Sequence, residues 1–76
     1  FNPSLNIYFS LNTPGNMSIV IYNSNGQEIE SVLKNEYLQI GSYNFSWDAD
    51  KNPSGLYFIK LQSKNFTSIK KALFLK

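Results

Sequence analysis

Residues 41–48 read Gly-Ser-Tyr-Asn-Phe-Ser-Trp-Asp, and in this stretch aromatic residues alternate with small polar ones. Successive side chains of a β-strand point to opposite faces, so a period of two predicts a strand with one aromatic face. A helix would spread Tyr43, Phe45 and Trp47 around its circumference. The pattern therefore predicts a β-strand whose three rings fill a protein core.

The same alternation extends outward from this stretch in both directions. It covers residues 5–11 and 17–21, with a Thr-Pro-Gly-Asn turn at 13–16 between them. Residues 23–26 contain an Asn-Gly pair, which favours a tight hairpin into a third strand near Gln27 to Leu33.

The later segments are less regular. Residues 34–41 predict mostly loop. Residues 56–63 begin with apolar residues at consecutive positions, a pattern typical of a central strand between two layers. Residues 66–76 predict a final strand, or a pair broken near Lys70 and Lys71. Six or seven strands and no convincing helix predict an all-β fold, a small Ig-like antiparallel β-sandwich.

Length and composition limit the chemistry. The chain has 76 residues and a mass of 8.7 kDa, and we treat it as one domain. It contains no Cys and no His, so thiol nucleophiles, Ser-His-Asp triads and the usual zinc ligands are excluded. We therefore expect no enzyme, no cofactor and no catalytic residue.

One acidic segment raises the question of metal binding. Asp48, Asp50 and Asn52 have the spacing of the first ligands of a calcium loop. Pro53 stands where such a loop needs Gly, and Ile59 stands where it needs Glu. We expect no metal site here, and instead a polar turn in which side-chain oxygens accept bonds from nearby amides.

The charge is unevenly distributed. The net charge is +2, yet every acidic residue lies before Lys51, and six of the seven Lys lie from Lys51 onward. There is no Arg and no binding motif, so nucleic acid is not an expected partner. No apolar run approaches the about 20 residues needed to span a bilayer, so no transmembrane segment is expected.

Five landmarks occur in order along the whole chain. They are Phe1-Asn2-Pro3-Ser4, residues 15–28 with their Asn-Gly turn, residues 41–48, Pro53-Ser54-Gly55-Leu56-Tyr57, and the Lys- and Leu-rich residues 70–76. With these landmarks the chain resembles the type A C-terminal sorting domain of the type IX (Por) secretion system. The resemblance covers the chain from end to end.

The resemblance implies a delivery signal. Proteins with such a domain pass through the periplasm of a Gram-negative bacterium and then cross the outer membrane, to be secreted or held at the cell surface. The implied partners are the outer-membrane secretion machinery, a surface sortase-like protease and a cargo domain N-terminal to Phe1. On this interpretation, residues 1–76 are a C-terminal sorting domain excised from a larger secreted protein.

Two sets of residues are candidates for specific roles. Translocon recognition is assigned to the terminal segment, at Lys70, Lys71, Leu73, Leu75 and Lys76. Its lysines could instead only protect an edge strand from pairing with other chains. The structural core is assigned to Tyr43, Phe45, Trp47, Tyr57 and Ile59.

Two alternatives accompany these assignments. The aromatic residues could form a carbohydrate platform, but core packing is favoured because a small sandwich has few other large groups to fill it. Gly55-Leu56-Tyr57 is similar to the tyrosine corner of immunoglobulin-type domains, in which the ring hydroxyl bonds to nearby main chain. The Trp-Asp and Ser-Gly-x-Tyr landmarks also resemble the Ig-like domain of the flagellar hook-cap protein, which implies the alternative function, an Ig-like assembly domain of a bacterial surface or hook-cap-like protein.

Overall fold

The computed structural model describes residues 3–76 and is all-β, as predicted. Phe1 and Asn2, the first two residues of the opening landmark, lie outside the described residues. The strands are β1 (Ser4–Leu11), β2 (Gly15–Asn23), β3 (Glu28–Leu38), β4 (Gly41–Asp48), β5 (Gly55–Ser63) and β6 (Thr67–Phe74). The part of the chain described has no helix, and hence none long and apolar enough to cross a membrane.

The strands form two antiparallel sheets packed as a sandwich. One sheet pairs β1 with β4, and the other has the order β3-β2-β5-β6. In the larger sheet β2 and β5 are central and β3 and β6 are at the edges. The predicted Ig-like antiparallel sandwich is confirmed, with six strands.

The core lies between the sheets. On β2 and β5, alternate side chains point inward, so that Ile19 lies opposite Leu61 and Ile21 lies opposite Ile59. Both sheets and the terminal strand contribute to this core. Its buried apolar members are Ile7, Leu11, Met17, Ile19, Ile21, Trp47, Ala49, Tyr57, Ile59, Leu61 and Phe74.

The aromatic face of β4 divides into two parts. Trp47 is buried and meets the ring of Tyr57 edge-on, with the ring centroids 5.3 Å apart. Tyr43 and Phe45 are half-buried, and both stack on Phe9 of the neighbouring β1, at 5.5 and 5.9 Å. All three rings thus pack inside the molecule's own sandwich.

The loop predicted over most of residues 34–41 is wrong except at Gln39 and Ile40, because β3 continues to Leu38 and β4 begins at Gly41. Opposite Ser18 the edge strand contains two residues, Lys34 and Asn35, which is a β-bulge. Asn35 has a φ of 47°, and its amide donates a hydrogen bond to Ser18 Oγ at 3.0 Å. The extra residue shifts which side chains of β3 point inward, while the strand continues to pair with β2. The sequence therefore loses its period of two although the strand does not end.

The terminal segment is a single strand. Lys70 pairs with Ile59 and Lys71 with Phe58 in an unbroken register. Of the two predicted alternatives, the single final strand is confirmed and the break at the two lysines is wrong, because both lysines pair with β5.

The prediction for β5 is confirmed in part. It is a central strand, between β2 and β6. Its inward residues are buried, but Leu56 on the opposite face is 37% exposed. Among the described residues no second layer covers that outer face.

Candidate recognition surface

The candidate segment begins on β6, an edge strand that pairs with β5 alone. Lys70 and Lys71 lie on opposite faces of this strand. Lys71 is opposite Phe58 on the outer face, while Lys70 is opposite the buried Ile59 and therefore on the core side. The recognition candidates thus do not share one surface.

Lys70 is exposed and lines a groove between the two sheets, of which Lys71 forms another part of the wall. The groove has a volume of about 150 Å³, and its walls include Leu5 and Ile7 of β1 and Ala72 of β6. A lysine on the core side of an edge strand resists pairing with another chain, because a new neighbour would have to bury its charge. The protective role considered for the lysines therefore fits Lys70 better than Lys71.

The end of the chain is held against the body of the domain. Phe74 is 1% exposed, and its ring lies 6.5 Å from that of Tyr57. Beyond it, the amide of Lys76 donates a hydrogen bond to Ser54 Oγ at 2.9 Å. Leu75, between these anchors, is exposed. Residues 74–76 are thus fixed to the loop that precedes β5.

A tyrosine corner positions the same loop. The Tyr57 hydroxyl donates to the carbonyl of Pro53 at 2.6 Å, as the similarity to immunoglobulin-type domains predicts. Gly55 lies between the two residues with a φ of 156°, which L side chains rarely adopt. Tyr57 and Ile59, which are both core candidates, are buried at successive inward positions of β5.

A second corner of the same form was not predicted from the sequence. The Tyr43 hydroxyl donates to the carbonyl of Gln39 at 2.7 Å, and Gly41 precedes it with a φ of 152°. The signal was the repeated Gly-x-Tyr at the start of a strand. Strands β4 and β5 thus both begin with Gly-x-Tyr and a tyrosine hydroxyl bonded to the main chain four residues earlier.

The acidic turn after β4 is a local hydrogen-bonded structure. Asp48 Oδ1 accepts a bond from the amide of Asp50 at 3.0 Å, and the Asn52 amide donates to the Ala49 carbonyl at 2.8 Å. Over residues 3–76 no group of three His, Cys, Asp or Glu side chains is placed to hold a metal ion. The turn has the polar geometry that the sequence suggested.

The outer face of the larger sheet contains residues that the sequence did not single out. Tyr22, Phe58 and Ile69, from three adjacent strands, line a pocket of about 230 Å³ together with Lys60. Ile69 is 61% exposed. Their signal was the apolar pattern on both faces of β5, which implies a cover for each face.

One family model matches the chain, over residues 2–75, and its description is secretion system C-terminal sorting domain. The chain belongs to this family. The match confirms the resemblance to the type IX sorting domain and spans all six strands of this domain. No curated protein and no solved structure is significantly similar to the chain.

Membership gives the domain its general role. A type IX sorting domain is a signal for secretion, so it interacts with the type IX machinery and directs export to the cell surface or the medium. Sorting domains of this family are generally non-catalytic. The alternative of a hook-cap-like assembly domain is not favoured by the match.

Proposed function

We propose that this sorting domain is a non-catalytic module that the outer-membrane apparatus recognises in its folded form. It carries a cargo domain, N-terminal to Phe1, from the periplasm of a Gram-negative bacterium to the outside. A surface sortase-like protease then separates it from the cargo. The observation that carries this proposal is the anchoring of the chain end, where Phe74 is buried and the Lys76 amide bonds to Ser54.

This anchoring favours recognition of a surface over recognition of a loose peptide. Phe74 and the Lys76 amide hold the segment in place while Lys71, Leu73 and Leu75 face outward. A receptor that meets such a segment finds side chains already ordered, so little conformational entropy is lost on binding. The lysines add favourable electrostatics for an acidic receptor.

The acidic residues support a role without catalysis. All five carboxylates are exposed, on β3, at the end of β4 or in the turn that follows. Exposed carboxylates are surrounded by water, whereas catalytic carboxylates usually work in enclosed clefts.

The test is export of a periplasmic reporter fused to residues 1–76 in a bacterium with a type IX system. Truncation after Ala72 is a poor variant, since it removes the buried Phe74. Substitution of exposed residues is cleaner, and we choose Lys71→Glu with Leu75→Ser. The matched control is Lys51→Glu with Ile40→Ser, which makes the same changes at exposed positions outside the terminal segment.

We expect the terminal variant to lose most surface delivery while its thermal melt stays close to that of the parent. The control should be exported normally. Equal export of a reporter whose residues 1–76 have been scrambled would refute the proposal, because no folded domain would then be needed.

A further inference from the structure

The outer face of β5 is apolar although no other part of the described chain covers it. Leu56 and Phe58 project from this face, while the alternate residues Tyr57 and Ile59 fill the core. Strands with apolar residues at consecutive positions are typically covered on both faces. Here the two-stranded sheet covers only the inner one.

The apolar residues continue onto both neighbouring strands. Tyr22 of β2 lies directly opposite Phe58, and Ile69 of β6 lies directly opposite Lys60. These four residues line the pocket of about 230 Å³ together with Asn23, Ser24 and Gly26 at the turn between β2 and β3. The pocket is concave and large enough for one apolar side chain.

One wall of the pocket is fixed by hydrogen bonds. Asn23 Oδ1 accepts bonds from the amides of Asn25 and Gln27, each at 3.0 Å. The Asn23 Nδ2 group donates to Gln27 Oε1 at 2.8 Å. The turn beside the pocket is therefore held in shape before any partner arrives, and a preformed pocket loses less entropy on binding.

On the side of the pocket formed by β5 and β6, all the charged side chains are positive. Lys60 and Lys71 lie on the outer face, and neither strand contains an acidic residue. Glu28, the nearest acidic residue in register, pairs with Tyr22 on the opposite side of the pocket. An occupant with carboxylates toward β6 would complement this arrangement.

We propose that the outer face of β2, β5 and β6 docks a protein partner that inserts one apolar side chain between Tyr22, Phe58 and Ile69. Carboxylates beside that side chain pair with Lys60 and Lys71. The inference rests on the proposed function, since the partner is a component of the export apparatus. It adds the outer face of the larger sheet to the terminal segment as a second recognition surface.

Two other occupants fit the face less well. A second copy, face to face, would bring the lysines of both copies together, and like charges in contact oppose association. A bilayer surface is broad and attracts clusters of cations, whereas this face offers a concavity and two lysines. Shape and charge together favour a protein with an apolar residue among acidic ones.

Ile69→Thr and Lys60→Glu, singly and together, test the inference in the reporter fusion. Thr keeps the branched shape that suits a strand, and Ile69 is 61% exposed, so the fold should persist. The matched control pair is Ile40→Thr and Lys64→Glu. Ile40 is 64% exposed between β3 and β4, and Lys64 lies in the turn after β5.

We expect each single variant to reduce surface delivery about tenfold and the double variant to reduce it further. The control pair should be delivered normally, and thermal melts of all purified variants should stay close to that of the parent. Normal export of the double variant, together with failed export when residues 1–76 are deleted, would overturn this inference alone. Normal export after the deletion would overturn the proposed function as well.

Two measurements on the purified domain address the other occupants. Sedimentation velocity tests for a dimer, and co-sedimentation with phosphatidylglycerol vesicles tests for a membrane surface. A monomer that does not bind vesicles supports a protein partner. A dimer or vesicle binding that Ile69→Thr abolishes would assign the face to that occupant and overturn the inference.

Discussion

The hydroxyl of Tyr57 donates a hydrogen bond to the carbonyl of Pro53 across a distance of 2.6 Å. This bond spans the entry to β5, and the Tyr57 ring packs between Trp47 and Phe74. The residue therefore connects the loop before β5 with both sheets. The loop in turn holds the chain end through Ser54.

Removing the hydroxyl alone should weaken this connection. Tyr57→Phe keeps the buried ring but leaves the Pro53 carbonyl without its donor, and we expect a loss of about 1 kcal/mol in the free energy of unfolding. Tyr43→Phe removes the corresponding bond to Gln39 at a more exposed site, where water can replace the donor, so its loss should be smaller. Urea denaturation measures both, and an equal effect would contradict the distinction.

The backbone conformation of the same tyrosine corner predicts that substitution by alanine costs more stability at Gly55 than at Gly15. A Cβ at Gly55 or at Gly15 would meet nothing within 4 Å, so neither substitution is opposed by a clash. Gly55 has a φ of 156°, which an alanine rarely adopts, whereas Gly15 has no positive φ. Gly55→Ala should destabilise the domain by about 1–3 kcal/mol, and Gly15→Ala should be nearly neutral or slightly stabilising. Thermal melts of the two variants are the measurement.

Among residues 74–76, Phe74 should contribute most to the free energy of unfolding. Phe74→Ala removes a ring that is 1% exposed, and we expect a loss of about 3–5 kcal/mol, enough to unfold much of so small a domain. Leu75→Ala changes a side chain that is 62% exposed and should cost less than about 0.5 kcal/mol. Circular dichroism with urea titration separates the two cases. A stable Phe74→Ala variant would remove the structural basis for a folded recognition segment.

The sequence predicted most of the sandwich because its strands keep a strict period of two. Met17, Ile19 and Ile21 show that period, and the structure buries all three. It failed at β3, whose register with β2 shifts at three places, one of them the bulge at Lys34 and Asn35. A bulge depends on the partner strand, here on Ser18, and this partner is distant in the sequence. A period rule applied to one segment cannot detect it.

The surface was less predictable than the fold. The composition of residues 70–76 indicated a basic terminal strand, but only the register separates Lys70 on the core side from Lys71 on the outer face. The pocket around Phe58 needs three strands to form, two of them far apart in sequence. Its single local sign was the apolar run at the start of β5, which was interpreted as burial on both faces.

The structure of the turn after β4 predicts that calcium does not change the thermal stability of the domain. Asp48 Oδ1 already accepts the Asp50 amide, and Pro53 cannot make the turn that a calcium loop needs at its sixth position. We expect the midpoint of thermal unfolding to be the same with excess calcium chloride and with a chelator. A shift of several degrees with calcium chloride, and none with sodium chloride at the same ionic strength, would contradict this prediction.

The side chain of Asn23 offers a way to separate the shape of the outer pocket from its chemistry. Asn23→Ala removes the acceptor for the Asn25 and Gln27 amides, and we expect a stability loss of about 1–2 kcal/mol, because the turn is exposed and water can replace part of the bonding. Asn23→Ser keeps a neutral accepting oxygen and should retain part of the stability. If the pocket must be preformed, Asn23→Ala should also reduce export, and by more than Asn23→Ser. Export by both variants at the level of the parent would show that the turn stabilises the domain without shaping its docking face.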